Sequence, residues 1–143
     1  MRILVDTPVW SLALRRKTAN LAASELRATR LLHQIVDEGR AQLLGLVRQE
    51  LLSGLREAAQ FRRLRDHLRD FPDIALSIDD YEEAARASNE CRKAGIAGTP
   101  VDMLICAVGL IRGWQIFSTD RDFGHYASVL PIQLFSLSRD PAA

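Results

Sequence analysis

The chain has 143 residues, and 48% of them are hydrophobic, which fits one domain with one core and argues against extended disorder. The formal net charge is only +1, and no long basic run of the kind found in strong duplex-DNA binders occurs. No N-terminal stretch has the pattern of a signal peptide, and the longest apolar stretch, 103–111, is about half of what spans a bilayer. We therefore expect a cytoplasmic protein without a membrane segment.

Short apolar runs alternate with amphipathic stretches along the first half of the chain. The run from Ile3 to Val5 is typical of a strand that is buried on both faces of a parallel sheet. Thr7 followed by Pro8 indicates a helix start, with threonine as the N-cap. The spacing then predicts helices over 8–14 and 22–38, a strand over 42–46, and helices over 47–56 and 58–70.

The second half continues the alternation. The pattern predicts a brief third strand over 74–77, a helix from there to about 94, and a nearly all-apolar core helix over 100–112. It then predicts a fourth strand over 115–118, a short helix after the turn at 119–123, and a last strand over 132–135. Strands alternating with helices indicate an α/β fold with a mainly parallel sheet. We expect one domain over 1–137 and a frayed tail over 138–143.

The sulfur and imidazole side chains do not have metal-ligand spacing. Cys91 and Cys106 fall in helical patterns and are expected to be small buried or half-buried residues. His33, His67 and His125 have no mutual spacing that suits a metal.

Acidic residues fall where the predicted strands end. Asp6 follows the first strand, Asp120 and Asp122 follow the fourth, Glu50 lies just past the second, and Asp102 is in the first turn of the apolar helix. Open parallel sheets bind ligands at the carboxyl ends of their strands, so we expect four or five carboxylates to meet there. A fold tolerates such a cluster mainly when a hard cation neutralises it, and Mg²⁺ and Mn²⁺ prefer carboxylate and water oxygens.

Each acid also has a purely structural interpretation. The patterns Thr99-x-x-Asp102 and Thr119-x-x-Asp122 match capping boxes at helix starts. The other three acids fit turns or a solvent-facing helix position. The metal-site interpretation is favoured because unrelated structural roles need not bring the acids to one end of the sheet.

Four segments carry a family resemblance over essentially the whole chain. They are, in order, Leu4-Val5-Asp6-Thr7, Glu50-Leu51-Leu52-Ser53-Gly54, Thr99-Pro100-Val101-Asp102 and Ser118-Thr119-Asp120-Arg121-Asp122-Phe123. Together they resemble PIN domains, in particular the VapC-type toxins of bacterial type II toxin–antitoxin pairs.

The resemblance implies a PIN-like domain with a five-stranded sheet of order 3-2-1-4-5 and a site beside strands one and four. It implies cleavage of RNA phosphodiesters that depends on Mg²⁺ or Mn²⁺, a homodimer, and a cognate antitoxin protein that blocks the site. Carried over position by position, the catalytic set is Asp6, Glu50, Asp102 and Asp120, with Asp122 at a more variable fifth position. Pro8 stands where many relatives have serine, while Thr7 keeps a hydroxyl.

A metal held by carboxylates can activate water and stabilise charge on phosphoryl oxygens. We assign Asp6 and Asp102 as the direct ligands, whereas Glu50 and Asp120, and Asp122 if it is a ligand, act through water or a second ion. The hydroxyls of Thr7 and Thr119 support the site.

Basic residues lie in a loop that follows the first helix. Arg15, Arg16 and Lys17 are candidates for contacts with RNA phosphates, and a simply solvated loop is an equal alternative.

Two other functions stay open at this point. One is a catalytically silent PIN-like module that binds RNA or protein and whose acids are only caps. The other is a different carboxylate- and metal-dependent phosphoryl-transfer enzyme, although the chain has neither an Asp-x-Asp after the first strand nor a Gly-rich phosphate loop.

The helices over 22–38 and 58–70 have more apolar surface than one sheet face readily covers. We expect a groove there for an antitoxin segment, and a symmetric dimer elsewhere on the chain.

Overall fold

The sheet has four short strands, every one parallel to its neighbours, in the computed structural model, which describes residues 1–15 and 17–136. The strands are β1 (Ile3–Val5), β2 (Ala41–Gln42), β3 (Gln115–Phe117) and β4 (Gln133–Leu134), in the order β2-β1-β3-β4. In register, Ile3 pairs with Ala41 and Val5 with Phe117. The central strand β1 is fully buried, as its continuous apolar run predicts.

The predicted third strand over 74–77 is wrong, and the sheet has four strands within the described ranges instead of five. Side chains bond the backbone of this segment where a ladder was expected. Arg112 Nη2 donates to the carbonyl of Ala75 at 3.1 Å, and the Ser77 amide donates to Asp80 Oδ2 at 2.9 Å. The observed order is the predicted one with this strand removed, so β2 becomes an edge.

Seven α-helices flank the sheet in the part of the chain that the structure describes. They are α1 (Thr7–Leu14), α2 (Ala23–Asp37), α3 (Gly45–Leu52), α4 (Ala58–Leu68), α5 (Ile78–Lys93), α6 (Pro100–Arg112) and α7 (Asp122–Ala127). The prediction departs most at α3, which was expected over 47–56. This helix ends at Leu52 because Ser53 is extended and Gly54 has a φ of +85°, a conformation that favours glycine.

Helix α6 lies in the core, as its apolar sequence predicts. Its residues 103–109 are all buried, and Gly113, with a φ of +68°, ends the helix in the left-handed conformation. Cys91 and Cys106 are both buried and free. None of the helices in residues 1–15 and 17–136 is both long and apolar enough to cross a bilayer.

The expected domain end at residue 137 and the expected frayed tail over 138–143 lie outside the described residues.

Candidate active site

Asp6 joins the end of β1 to the start of α1. Its Oδ1 accepts from the Thr7 amide at 2.8 Å, so Asp6, and not Thr7 as predicted, is the N-cap of α1. Its Oδ2 accepts from the Ser118 hydroxyl at 2.8 Å. Only 4% of Asp6 is exposed, which makes it one of two buried acids among the described residues.

Ser118 connects two of the predicted site acids. While its hydroxyl donates to Asp6, the same oxygen accepts from the Asp120 amide at 3.0 Å. Asp120 Oδ1 in turn accepts from the Asp122 amide at 2.9 Å, which fixes the turn into α7. No role for Ser118 followed from the sequence alone. Its position at the last residue of the predicted strand, two before an aspartate, is the signal that could have found it.

The carboxylate of Asp102 is turned toward the site and does more than cap its helix. Thr99 Oγ1 accepts from the Asp102 amide at 3.1 Å, so half of the expected capping box forms. Asp102 Oδ2 accepts from the Tyr126 hydroxyl at 2.7 Å. Burial, together with the adjacent Asp102 carboxylate, raises the pKa of Tyr126, so this hydroxyl keeps its proton and donates it. Sequence reasoning missed Tyr126.

The other expected capping box, at Thr119, does not form. Helix α7 begins at Asp122 with Arg121 as its N-cap, and no side chain bonds that cap. The Asp120 carboxylate takes the role instead, through the Asp122 amide. Thr119 is exposed and precedes the helix.

Three carboxylates converge closely enough to share one cation. Asp102, Asp120 and Asp122 each offer one oxygen, and these oxygens all lie within 4.8 Å of one another. The donors are hard oxygens only, which suits Mg²⁺ or Mn²⁺ better than a softer metal. Asp6, assigned as a direct ligand with Asp102, lies outside this trio, whereas Asp122 lies within it.

Charge repulsion and burial shape the protonation of these acids. Burial, aided by the Asp102 and Glu50 charges, raises the pKa of Asp6 from 3.8 to about 6, against the hydrogen bonds from Ser118 and Thr7. Burial also raises the pKa of Asp102, with the charges of Asp120 and Asp122 acting in the same direction and hydrogen bonds from Tyr126 and Thr99 opposing them. A divalent cation would relieve the repulsion in both cases.

Glu50 approaches the same end of the sheet from α3. The Thr7 hydroxyl donates to Glu50 Oε2 at 2.9 Å, which links the first and second sequence segments. Arg48, on the same helix, donates to the carbonyls of Leu68 and Phe71 at 2.8 and 2.7 Å and so anchors α3 to the end of α4. Glu50 itself is exposed, so its carboxylate is accessible to water and substrate.

A groove of about 580 Å³ lies between α1, the α3–α4 connection and α4. Its lining combines aliphatic side chains with two arginines, one histidine and one amide: Ala13, Leu14, Leu55, Leu64, Arg15, Arg63, His67 and Gln60. No acid is among these described lining residues. The groove expected on α2 and α4 therefore involves α4, but α1 takes the place of α2. Of the three basic residues predicted to contact RNA, Arg15 lines this groove, Lys17 is exposed, and Arg16 lies outside the described residues.

Comparison with known proteins identifies the family. Residues 3–129 match the model of the PIN domain family, so this chain belongs to that family. No curated protein sequence gives a significant match to the chain.

Solved structures share the fold over nearly the full length of the chain. A chain of FitAcB from Neisseria gonorrhoeae has a TM-score of 0.70 and 18% identity, covering 94% of this chain and 97% of that one. A chain of VapBC2 from Rickettsia felis, bound to a DNA fragment of its promoter, has a TM-score of 0.73 and 14% identity, with coverages of 94% and 98%. VapBC-1 from nontypeable Haemophilus influenzae gives 0.68 and 11%, with coverages of 97% and 100%. At these identities the likeness concerns the fold alone.

Proposed function

We propose that this PIN-domain protein is a metal-dependent endoribonuclease and the toxin of a type II toxin–antitoxin pair. The observation that carries the proposal is the convergence of Asp102, Asp120 and Asp122 beside the buried Asp6. Structural capping does not require three carboxylates within 4.8 Å of one another, because like charges at that separation repel.

Asp102, Asp120 and Asp122 would hold Mg²⁺ or Mn²⁺, with Asp6 in contact directly or through water. When bound, the ion supplies charge stabilisation for a phosphodiester and lowers the pKa of a coordinated water. The chain's own contribution is to hold the carboxylates in place. Ser118 fixes Asp6 relative to Asp120, and Tyr126 holds one oxygen of Asp102.

Glu50 is the acid best placed to orient an attacking water. The Thr7 hydroxyl restrains Oε2, and the exposed carboxylate keeps its other oxygen for a water proton. In this proposal Arg15 and Lys17 contact phosphates of the RNA on the side of α1.

The test is cleavage of structured RNA by the purified protein with and without Mg²⁺ or Mn²⁺. We expect cleavage only with the metal, its loss in EDTA, and its loss in Asp120→Asn. Asp79→Asn is the matched control, because Asp79 is also an exposed aspartate but adjoins Asp80, which binds Arg112 at the opposite end of α6 from Asp102. Robust cleavage in EDTA, or an active Asp120→Asn, would contradict the proposal.

The groove between α1 and α4 is our proposed binding site for an antitoxin segment. Its aliphatic lining suits apolar side chains of an amphipathic segment, and Arg15, Arg63 and His67 suit acidic ones. None of the described lining residues is Phe, Tyr or Trp, so the groove lacks the usual platform for stacked RNA bases. Helix α1 has eight residues and spans about 12 Å from its acidic start to the groove. An antitoxin in the groove could therefore also offer an arginine or other cation to the acids.

Co-purification with the small protein encoded by the neighbouring reading frame tests this part. We expect a stable complex without nuclease activity, which Leu64→Asp weakens roughly tenfold or more. Unchanged affinity in a folded Leu64→Asp variant would remove the groove from the interface.

We also propose a homodimer. Ile78, at the start of α5, is 74% exposed, more than any other large apolar side chain in the described ranges, and is the position that we propose for an apolar contact outside the groove. Light scattering at micromolar concentration tests the dimer, and a monomer would contradict it.

A further inference from the structure

Tyr126 brings a neutral donor to the acidic cluster. Tyr126 is completely buried, and its ring packs edge-on against the ring of Phe123, with the ring centroids 5.2 Å apart. Its hydroxyl donates to Asp102 Oδ2 at 2.7 Å, across 24 positions of the chain. The protein has only two tyrosines, and the other, Tyr81, is 57% exposed.

Helix α7 contacts the cluster at both of its ends. Asp122 and Tyr126 are four residues apart on this helix and therefore lie on the same face, one turn from each other. The first supplies a carboxylate to the trio, and the second binds the carboxylate that comes from α6. The hydrogen bond thus ties the first turn of α6 to α7 at the point where the acids converge.

The metal-free trio has a physical reason to spread apart. One carboxylate oxygen of Asp102 lies within 4.8 Å of an oxygen of Asp120 and of an oxygen of Asp122. Without a restraint, the Asp102 carboxylate would rotate away from those charges. The Tyr126 bond occupies Oδ2 and leaves Oδ1 without this restraint. The neutral Tyr126 hydroxyl restrains the Asp102 carboxylate without neutralising its charge. An arginine or lysine in the same place would compete with a metal cation for that carboxylate.

We propose that Tyr126 is a positioning residue that holds Asp102 in the orientation required for cation binding. The inference rests on the proposed function, since it presupposes that the acidic trio binds Mg²⁺ or Mn²⁺. Groups that orient metal ligands from outside the coordination sphere typically contribute roughly 10–100-fold to metal affinity. A tyrosine that merely satisfied its own buried hydroxyl would contribute to stability in EDTA and not to metal affinity.

The experiment compares Tyr126→Phe, which removes only the hydroxyl, with Tyr81→Phe as the matched control. Mn²⁺ binding is measured without RNA, by electron paramagnetic resonance of the free ion, and folding is checked by circular dichroism and melting in EDTA. We expect Tyr126→Phe to bind Mn²⁺ roughly 10–100-fold more weakly than wild type, and Tyr81→Phe to bind it equally well. The Mg²⁺ concentration for half-maximal cleavage should rise by the same factor, with the rate at saturating Mg²⁺ within a few-fold of wild type.

Unchanged Mn²⁺ affinity in a folded Tyr126→Phe overturns the inference but leaves the proposed function intact. A wild-type protein that binds no Mn²⁺ refutes the proposed metal site, and the inference with it. Should Tyr126→Phe be unfolded, the carbon-13 resonance of ring-labelled tyrosine in Tyr81→Phe decides, because Tyr126 is then the only tyrosine and the two tryptophans carry no label. Mg²⁺ should shift this resonance, and Asp102→Asn should abolish the shift. A resonance that Mg²⁺ leaves unchanged overturns the inference.

Discussion

Replacing Asp6 with asparagine should stabilise the metal-free protein at neutral pH. The folded state raises the pKa of Asp6 from 3.8 to about 6, mainly because burial disfavours the charged form. Each pKa unit corresponds to about 1.4 kcal/mol, so ionised Asp6 costs the folded state about 3 kcal/mol at pH 7. Asparagine has nearly the same shape, and Ser118 can accept a hydrogen bond from its amide in place of donating one.

The expected gain depends on pH with a defined sign. Between pH 4 and 6 the folded state binds the Asp6 proton more readily than the unfolded state, so the wild type becomes more stable as the pH falls. The advantage of Asp6→Asn should therefore be about 2–3 kcal/mol at pH 7, or about 5–10 °C in melting temperature, and should vanish near pH 4. Thermal and urea unfolding in EDTA across this pH range measure it.

Asp80→Asn is the matched control, since Asp80 is the other buried acid among the described residues. Arg112 donates to Asp80 at 2.6 Å and lowers the pKa of this carboxyl, so its charge stabilises the fold. Asp80→Asn should lose about 1–3 kcal/mol at pH 7, with a deficit that shrinks as the pH falls. If Asp6→Asn were no more stable than wild type at pH 7, or its difference did not vary with pH, the account of burial at Asp6 would be wrong.

Three further predictions concern the metal, the Glu50 contact and the turn after α6. Mg²⁺ should raise the melting temperature of the wild type by mass action, because binding at 100 times the Kd stabilises the folded state by about 2.7 kcal/mol. In differential scanning fluorimetry, Asp102→Asn should lose most of that increase. A full increase in the variant would remove Asp102 from the site. Thr7→Val should slow RNA cleavage about tenfold, with melting in EDTA nearly unchanged, because it frees Glu50 Oε2; wild-type rates would leave the contact without a role. Gly113→Ala should destabilise the fold by about 1 kcal/mol in urea unfolding, since its φ of +68° is left-handed; equal stability would contradict that strain.

Local pattern was sufficient for most of the framework. Apolar runs and helix-start residues indicated β1, α6 and the α/β alternation, because the periodicity of a strand or helix depends on residues that are close together in the sequence. The same reasoning failed at 74–77, where an apolar segment has its backbone bonded by Arg112 and Asp80. Competition between a ladder and side-chain partners that lie elsewhere in the chain is invisible in the segment itself.

The residues of the candidate site were likewise predicted only in part from the sequence. The sequence by itself determined which acids follow strand ends, and a parallel sheet brings such ends to one edge. Only the tertiary structure decided that Asp122 joins Asp102 and Asp120, that Ser118 bridges Asp6 to Asp120, and that Tyr126 binds Asp102. Hydrogen bonds of this kind form only when the donor–acceptor distance between two remote residues is correct to within a few tenths of an ångström. Such distances are set by how helices pack on the sheet, and not by the spacing of residues along the chain.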